Sequence, residues 1–218
     1  VYQRMFWEID PAQHYIKGNI TSYFKPLNNN FETIYFDLND NMTVDSVIYG
    51  YTSLNASHEN DLISITLPEA LSENTLDSIV VYYKGAPISA DFGSFETDTH
   101  NGTPVLWTLS EPYGAKDWWP CKQTLVDKID SIDIYVQTHS DYKVGSNGVL
   151  FSENIDGDTK ITHWKHRHPI VTYLVAIAVT NYAEFSDFAM VDETNSVEIL
   201  NYVYPEDQSY FEPLAEYT

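Results

Sequence analysis

Phe31-Glu-Thr-Ile-Tyr-Phe-Asp-Leu38 alternates apolar and polar side chains with a period of two, the mark of a strand with one buried face. Outward from it, residues 44–51, 62–67, 76–84 and 132–138 carry the same period. Residues 171–179 are nearly all apolar, which predicts a strand buried on both faces. Turn chemistry separates the runs, as in Pro26-Leu-Asn-Asn-Asn30, Asn39-Asp-Asn41 and Lys84-Gly-Ala-Pro87. Asn147-Gly148 and Asp156-Gly157, each flanked by strand-like residues, predict hairpins. Many short strands with frequent turns predict an all-β, antiparallel, sandwich-like domain. Two stretches break the pattern. Residues 110–128 are aromatic, proline-containing and irregular. The C-terminus from Pro205-Glu-Asp207 onward turns acidic and helix-like, and negative charge suits a first helical turn.

Composition narrows the function classes. The 218 residues carry 11 Lys+Arg against 32 Asp+Glu, a net charge of −21, which repels nucleic-acid phosphates and anionic lipid. With 43% hydrophobic residues the chain has ample apolar area to bury, so disorder is excluded as its default. Its longest apolar run, residues 170–179, is interrupted by Thr172 and Tyr173 and falls far short of the ~20 residues of a membrane helix. A lone cysteine, Cys121, forbids an intrachain disulfide. The chain starts at Val1 without a signal-peptide pattern and stops inside a helix-like stretch, so a processed piece of a longer protein is expected. Residues 1–204 read as the β domain, and residues 205–218 as a linker and the start of a helix.

No self-contained catalytic motif emerges. His58-Glu59 has Leu62 where a zinc-binding helix needs its second histidine, and it reads as a turn before the next strand. In His163-Trp-Lys-His166-Arg-His168 the last two histidines would share one strand face and suit a metal ion; solvated imidazoles at a strand end are the plainer reading. Cys121 follows Trp118-Trp-Pro120, an apolar setting that suppresses thiol reactivity. Asp156-Gly-Asp158 and Asn39-Asp-Asn41 lack the ligand series of a calcium loop and read as acidic turns. Four Asn-x-Ser/Thr triplets, at Asn19, Asn41, Asn55 and Asn101, matter only on a glycosylating route.

The irregular segment says more. Leu106-Trp-Thr-Leu-Ser-Glu-Pro-Tyr-Gly-Ala-Lys-Asp-Trp-Trp-Pro-Cys121 resembles the N-terminal domain of M1-family (gluzincin) zinc aminopeptidases. The strand in Asp127-Lys-Ile-Asp-Ser-Ile-Asp-Ile-Tyr-Val136, then Ser146-Asn-Gly148, Pro169-Ile-Val-Thr-Tyr-Leu174 and Asn181-Tyr-Ala-Glu-Phe185, follow in the family's order. Tyr15-Ile-Lys-Gly-Asn-Ile-Thr-Ser-Tyr23 looks like the family's first long strand. The resemblance implies a saddle-like antiparallel or mixed β-sandwich with a short C-terminal helical stub. It implies a catalytic domain of the same chain as partner, holding zinc and the His-Glu-x-x-His site, with neither catalytic residues nor metal ligands in this piece.

By the same resemblance Glu111 falls where the family places a Glu or Gln that holds the substrate's free α-amine, so the peptide N-terminus is the implied ligand. Tyr113 is a candidate substrate contact, Trp118 and Trp119 are expected to pack, and Lys116 to buttress the loop. Where the family often has Gln, this chain has Leu109; where it tends to have Ala after the Glu, this chain has Pro112, and a cis Glu111–Pro112 bond is expected. The implied parent removes N-terminal amino acids, and the acidic, Asn/Tyr/Thr-rich strands suit an exported bacterial protein, with the cytoplasm also open. Two other readings stand beside it: a carbohydrate- or protein-binding β-sandwich, and an M1-like scaffold without a working zinc site. Exposed coplanar rings would favour sugar, and Trp118 and Trp119 packed under the Glu111 loop would favour the peptidase.

Overall fold

A computed structural model describes residues 1–89 and 93–217; Thr218, the last residue of the expected helical stub, lies outside them. In chain order the strands are β1 (Tyr2–Glu8), β2 (Ile16–Phe24), β3 (Phe31–Asp37), β4 (Thr43–Tyr49), β5 (Thr52–Leu54), β6 (Ala56–Glu59), β7 (Leu62–Leu71), β8 (Asp77–Gly85) and β9 (Phe95–His100). There follow β10 (Thr103–Thr108), β11 (Ser131–His139), β12 (Lys143–Ser146), β13 (Val149–Asp156), β14 (Thr159–His166), β15 (Ile177–Thr180), β16 (Ala183–Met190) and β17 (Ser196–Val203). The chain ends in a 3-10 turn (Pro205–Asp207), a one-turn helix α1 (Gln208–Phe211) and a second 3-10 stretch (Glu212–Tyr217).

The main layer is an eight-stranded sheet in the order β13-β14-β11-β1-β2-β8-β4-β5. The β1–β11 pair is parallel and β1–β2 antiparallel, so the sheet is mixed. Trp164, Ile134, Met5, Ile20, Val81 and Val47 are successive register partners across it, and all six are buried. A period-two pattern in register on neighbouring strands puts one continuous apolar face on one side. Two smaller sheets, β3-β7-β6 and β12-β15-β10-β9, add their inward side chains to the same core. From the opening stretch, Ile34, Phe36 and Leu38 are buried while Tyr35 between them is exposed. At Gly18 an added Cβ would sit 2.2 Å from the Phe6 carbonyl oxygen and 2.7 Å from the Trp7 ring, so only glycine lets Trp7 lie across β2.

Three local expectations fail. Residues 171–179 are not one strand: Thr172–Leu174 form a 3-10 turn and only β15 is extended. The run is apolar because it is interior, and burial without a period does not choose between strand and turn. Asn147-Gly148 is not a hairpin, since β12 pairs with β15 while β13 pairs with β14, so the chain changes sheets there. The Asn147 amide clamps the crossing by accepting from Ala176 N and donating to the Leu174 carbonyl, both at 2.8 Å. His58-Glu59 closes the short strand β6 rather than forming a turn, and the His58 ring lies 2.8 Å from the Leu38 carbonyl. Asp156-Gly157 does close the β13–β14 hairpin, with Gly157 at φ +58°.

Candidate functional site

The irregular segment leaves β10 at Thr108 and returns at Cys121, where reciprocal backbone bonds of 2.7 and 3.0 Å tie Cys121 to Asp37 at the end of β3. Between these anchors the chain forms a raised loop. Leu109 N donates to the Ser94 carbonyl, and Gly114 N closes back on the Ser110 carbonyl at 2.8 Å. Ala115–Asp117 then make one 3-10 turn. The Glu111–Pro112 bond is cis, as expected for this loop. Leu109, Glu111, Pro112 and Tyr113 are exposed, with Tyr113 at 58%. Glu111 has no hydrogen-bond or ion-pair partner among the described residues, so its carboxylate is free to meet a cation from outside.

The underside of the loop is locked. Trp118 and Trp119 have no exposure; Trp118 lies 4.9 Å from the Trp7 ring and 6.2 Å from Phe95, and its Nε1 donates to Ser110 Oγ at 2.8 Å. Both tryptophans pack beneath the loop, the arrangement named above as favouring the peptidase reading. Asp117 is buried, which raises its carboxyl above the usual range; Ser94 Oγ donates to it at 2.6 Å and offsets part of that rise. Gly114 leaves no room for a side chain, since a Cβ there would come within 2.2 Å of Ser94 Oγ. Lys116 buttresses the loop by pairing with Asp61 at 2.6 Å, while its carbonyl accepts from Asn39 N. That hydrogen bond raises the lysine and lowers the aspartate from their ordinary values.

One supporting residue had no signal in the sequence. The Gln123 side chain donates to the Tyr113 carbonyl, while its Oε1 accepts from Lys116 N at 3.3 Å and lies 3.4 Å from Cys121 Sγ. A glutamine just past Pro-Cys carries no local pattern, and only the folded loop brings these partners to it. Cys121 itself is fully buried, and burial pushes its thiol well above the ordinary value, which makes it structural rather than nucleophilic.

The histidine cluster separates into two parts. His166 closes β14 and its ring stands 5.9 Å from that of His168, while burial lowers the His166 imidazole. No group of three or more His, Cys, Asp or Glu that could hold a metal forms among the described residues. His163 instead turns to Asp133 on the neighbouring strand, Nε2 to Oδ1 at 2.5 Å, and Arg167 binds the other carboxylate oxygen at 2.8 Å. Burial alone would raise the Asp133 carboxyl, but hydrogen bonds from His163, Tyr2 and Arg167 outweigh it and hold it below the usual range. The His163 ring stacks on Tyr135 at 3.9 Å, Arg4 caps Tyr135 and Lys165 caps Phe151. An open cleft of about 880 Å³ includes Glu8, Asp10, Lys17, His139 and Asp141 in its wall, and no residue of the 109–118 loop lines it.

Comparison with the curated proteins finds no match. Among solved structures, an M1 zinc metallopeptidase from Deinococcus radiodurans superposes with a TM-score of 0.81 at 17% identity, over 94% of this chain and 47% of that one. A mutant of that metallopeptidase bound to a Tyr-Ser-Ala substrate gives 0.82 at 16% identity over the same shares. A two-domain M1 zinc metallopeptidase mutant bound to L-arginine gives 0.81 at 16%, over 95% of this chain and 50% of that one. At such identities the likeness concerns the fold, and this chain spans about half the length of the structures it matches. The family model of the peptidase M1 N-terminal domain matches residues 1–174 of the 218, and the chain therefore belongs to the peptidase M1 N-terminal domain family.

Proposed function

We propose that this chain forms one wall of the substrate cleft of a zinc aminopeptidase, and that Glu111 anchors the free α-amine of the peptide. The observation that carries this reading is an exposed carboxylate, without a partner among the described residues, on a loop whose underside is locked by Trp118, Asp117, Lys116 and Gln123. A carboxylate facing an ammonium makes charge-assisted hydrogen bonds, and a rigid mount keeps the peptide terminus in one register. Tyr113, two residues on, offers an exposed ring to the first side chains of the substrate. In this reading zinc and the base that activates water belong to a second domain of the same protein, and this chain by itself hydrolyses nothing. The buried tryptophans weigh against a sugar-binding platform.

The test is an aminopeptidase assay on the full-length protein, with and without a zinc chelator, beside Glu111→Ala. Loss of one charge-assisted bond, about 1.5–3 kcal/mol, predicts a fall in kcat/KM of roughly 10- to 100-fold for free N-termini. Chelator-sensitive activity with an unchanged Glu111→Ala variant removes the anchor role. A folded, zinc-free, inactive parent points to the scaffold reading.

A further inference from the structure

We propose that the outer face of the main sheet, around Arg4, Lys165 and Arg167, is a docking surface for a short acidic peptide segment of another protein. It shares no residue with the Glu111 loop, and it stands whether or not the parent cleaves peptides. Met5, Ile134 and Trp164 point into the core, so their register neighbours Arg4, Asp133 and Lys165 share the opposite face of β1, β11 and β14. Arg4 lies 4.8 Å from the centroid of the Tyr135 ring, and Lys165 lies 3.1 Å from that of Phe151. The His163 ring stands between these two rings, stacked on Tyr135 at 3.9 Å and edge-on to Phe151 at 5.0 Å. A cation, three rings and a second cation thus form one row from β1 to β13.

These cations are out of keeping with the chain. With 32 Asp+Glu against 11 Lys+Arg, there are about three acids for every base. Among the described residues only Arg4, Lys25, Lys128 and Lys165 have no carboxylate partner. Two of these stand on this one face, with rings in place of carboxylates beneath them. The carboxylate between them, Asp133, is already taken by His163, Arg167 and Tyr2. Arg167 adds a third positive group, with 48% of its side chain exposed. A cation held over a ring keeps its outward N–H groups for a ligand and loses little side-chain freedom when one arrives.

Three features select the occupant. The positive groups call for carboxylates. β13, beside them, is an edge strand of the main sheet, with Val149 (73%) and Phe151 (61%) exposed. Such an edge offers backbone donors and acceptors to an extended peptide, and apolar contacts to its side chains. The net charge of −21 limits the length. At physiological salt that field is screened beyond ~8 Å, so a short segment meets the positive face alone. A nucleic acid or an anionic membrane runs on over the acidic surface around it.

Fluorescence anisotropy with the full-length protein and a fluorescein-labelled peptide of alternating Glu and Val tests this. The peptide is expected to bind, and Arg4→Gln with Lys165→Gln to weaken it about 2- to 30-fold, the worth of two exposed ion pairs. Lys25→Gln with Lys128→Gln removes the same charge elsewhere and is expected to leave binding unchanged. Arg4→Lys with Lys165→Arg keeps both charges and is expected to bind within about twofold of the parent. All four positions are surface side chains, and unfolding midpoints check that each variant folds. No binding below ~1 mM overturns the proposal. So does equal weakening by the two Gln pairs, or undiminished binding of a peptide of alternating Gln and Val. An oligonucleotide that binds more tightly than the peptide assigns the surface to polyanions. A dimer in sedimentation that Arg4→Gln with Lys165→Gln dissolves assigns it to a second copy of this chain. Either result overturns the proposal as well.

Discussion

Gly114→Ala measures how tightly the Glu111 loop is locked. The backbone at Gly114, φ −89° and ψ −2°, suits alanine, so the substitution meets no backbone strain. Through the unfolded chain it gains about 0.4–1 kcal/mol. Against this, the new Cβ lies 2.2 Å from Ser94 Oγ and 3.2 Å from Ser110 Cα. If Ser94 holds its place, overpacking costs about 1–3 kcal/mol. If its hydroxyl swings away, the bond to the buried Asp117 carboxylate is lost, at about 1.5–3 kcal/mol. After the chain-entropy gain the first route leaves a net loss of about 0–2.6 kcal/mol and the second about 0.5–2.6 kcal/mol. Removing the obstacle with Ser94→Gly first should make Gly114→Ala nearly neutral, a coupling of about 1–2 kcal/mol. Urea unfolding followed by tryptophan fluorescence reads all four proteins, because Trp118 and Trp119 lie under the loop. If Gly114→Ala has the same effect in both backgrounds, the loop is not locked through Ser94 and Asp117.

The other expectations reach different parts of the molecule. Trp118→Phe keeps a ring but strands the buried Ser110 hydroxyl, for about 1–2 kcal/mol, whereas Trp118→Ala costs about 3–5 kcal/mol; equal losses in thermal unfolding would refute the hydrogen bond. Asp133 has its carboxyl held low in the fold, so its contribution is complete above the ordinary carboxylate range and lost as pH falls through the depressed value. Asp133→Asn should cost about 2–3 kcal/mol at neutral pH and flatten the acid limb of the stability curve; an unchanged acid limb counts against the cluster. Cys121 should resist a thiol-exchange reagent in the folded protein and react only after unfolding, and rapid native reaction would show that the Asp37–Cys121 anchor opens readily.

The period of two in Phe31–Asp37 and its counterparts was enough to specify an all-β chain, because alternation is local and each strand carries its own inward face. The loop from Leu109 to Cys121 was legible as a site for a different reason: its motif is contiguous, so Glu111, Pro112 and Lys116 could be placed by counting back from Pro120-Cys121. Pairing was another matter. Tyr2–Glu8 attracts no notice in the sequence, yet as β1 it lies at the centre of the main sheet, between a parallel and an antiparallel neighbour. The apolar stretch 171–179 announced its burial but not its 3-10 turn, and Asn147-Gly148 carried hairpin chemistry where the chain instead crosses between sheets. The sequence by itself determined fold class, family and the position of the candidate carboxylate Glu111, all of which depend on residues close together in the chain. Only the tertiary structure decided that Asp133 holds His163, that Ser94 braces Asp117 and that Gln123 carries the Tyr113 carbonyl. Such contacts join segments whose spacing has no period, and loops and register choose the partners only when the sheets close on one core.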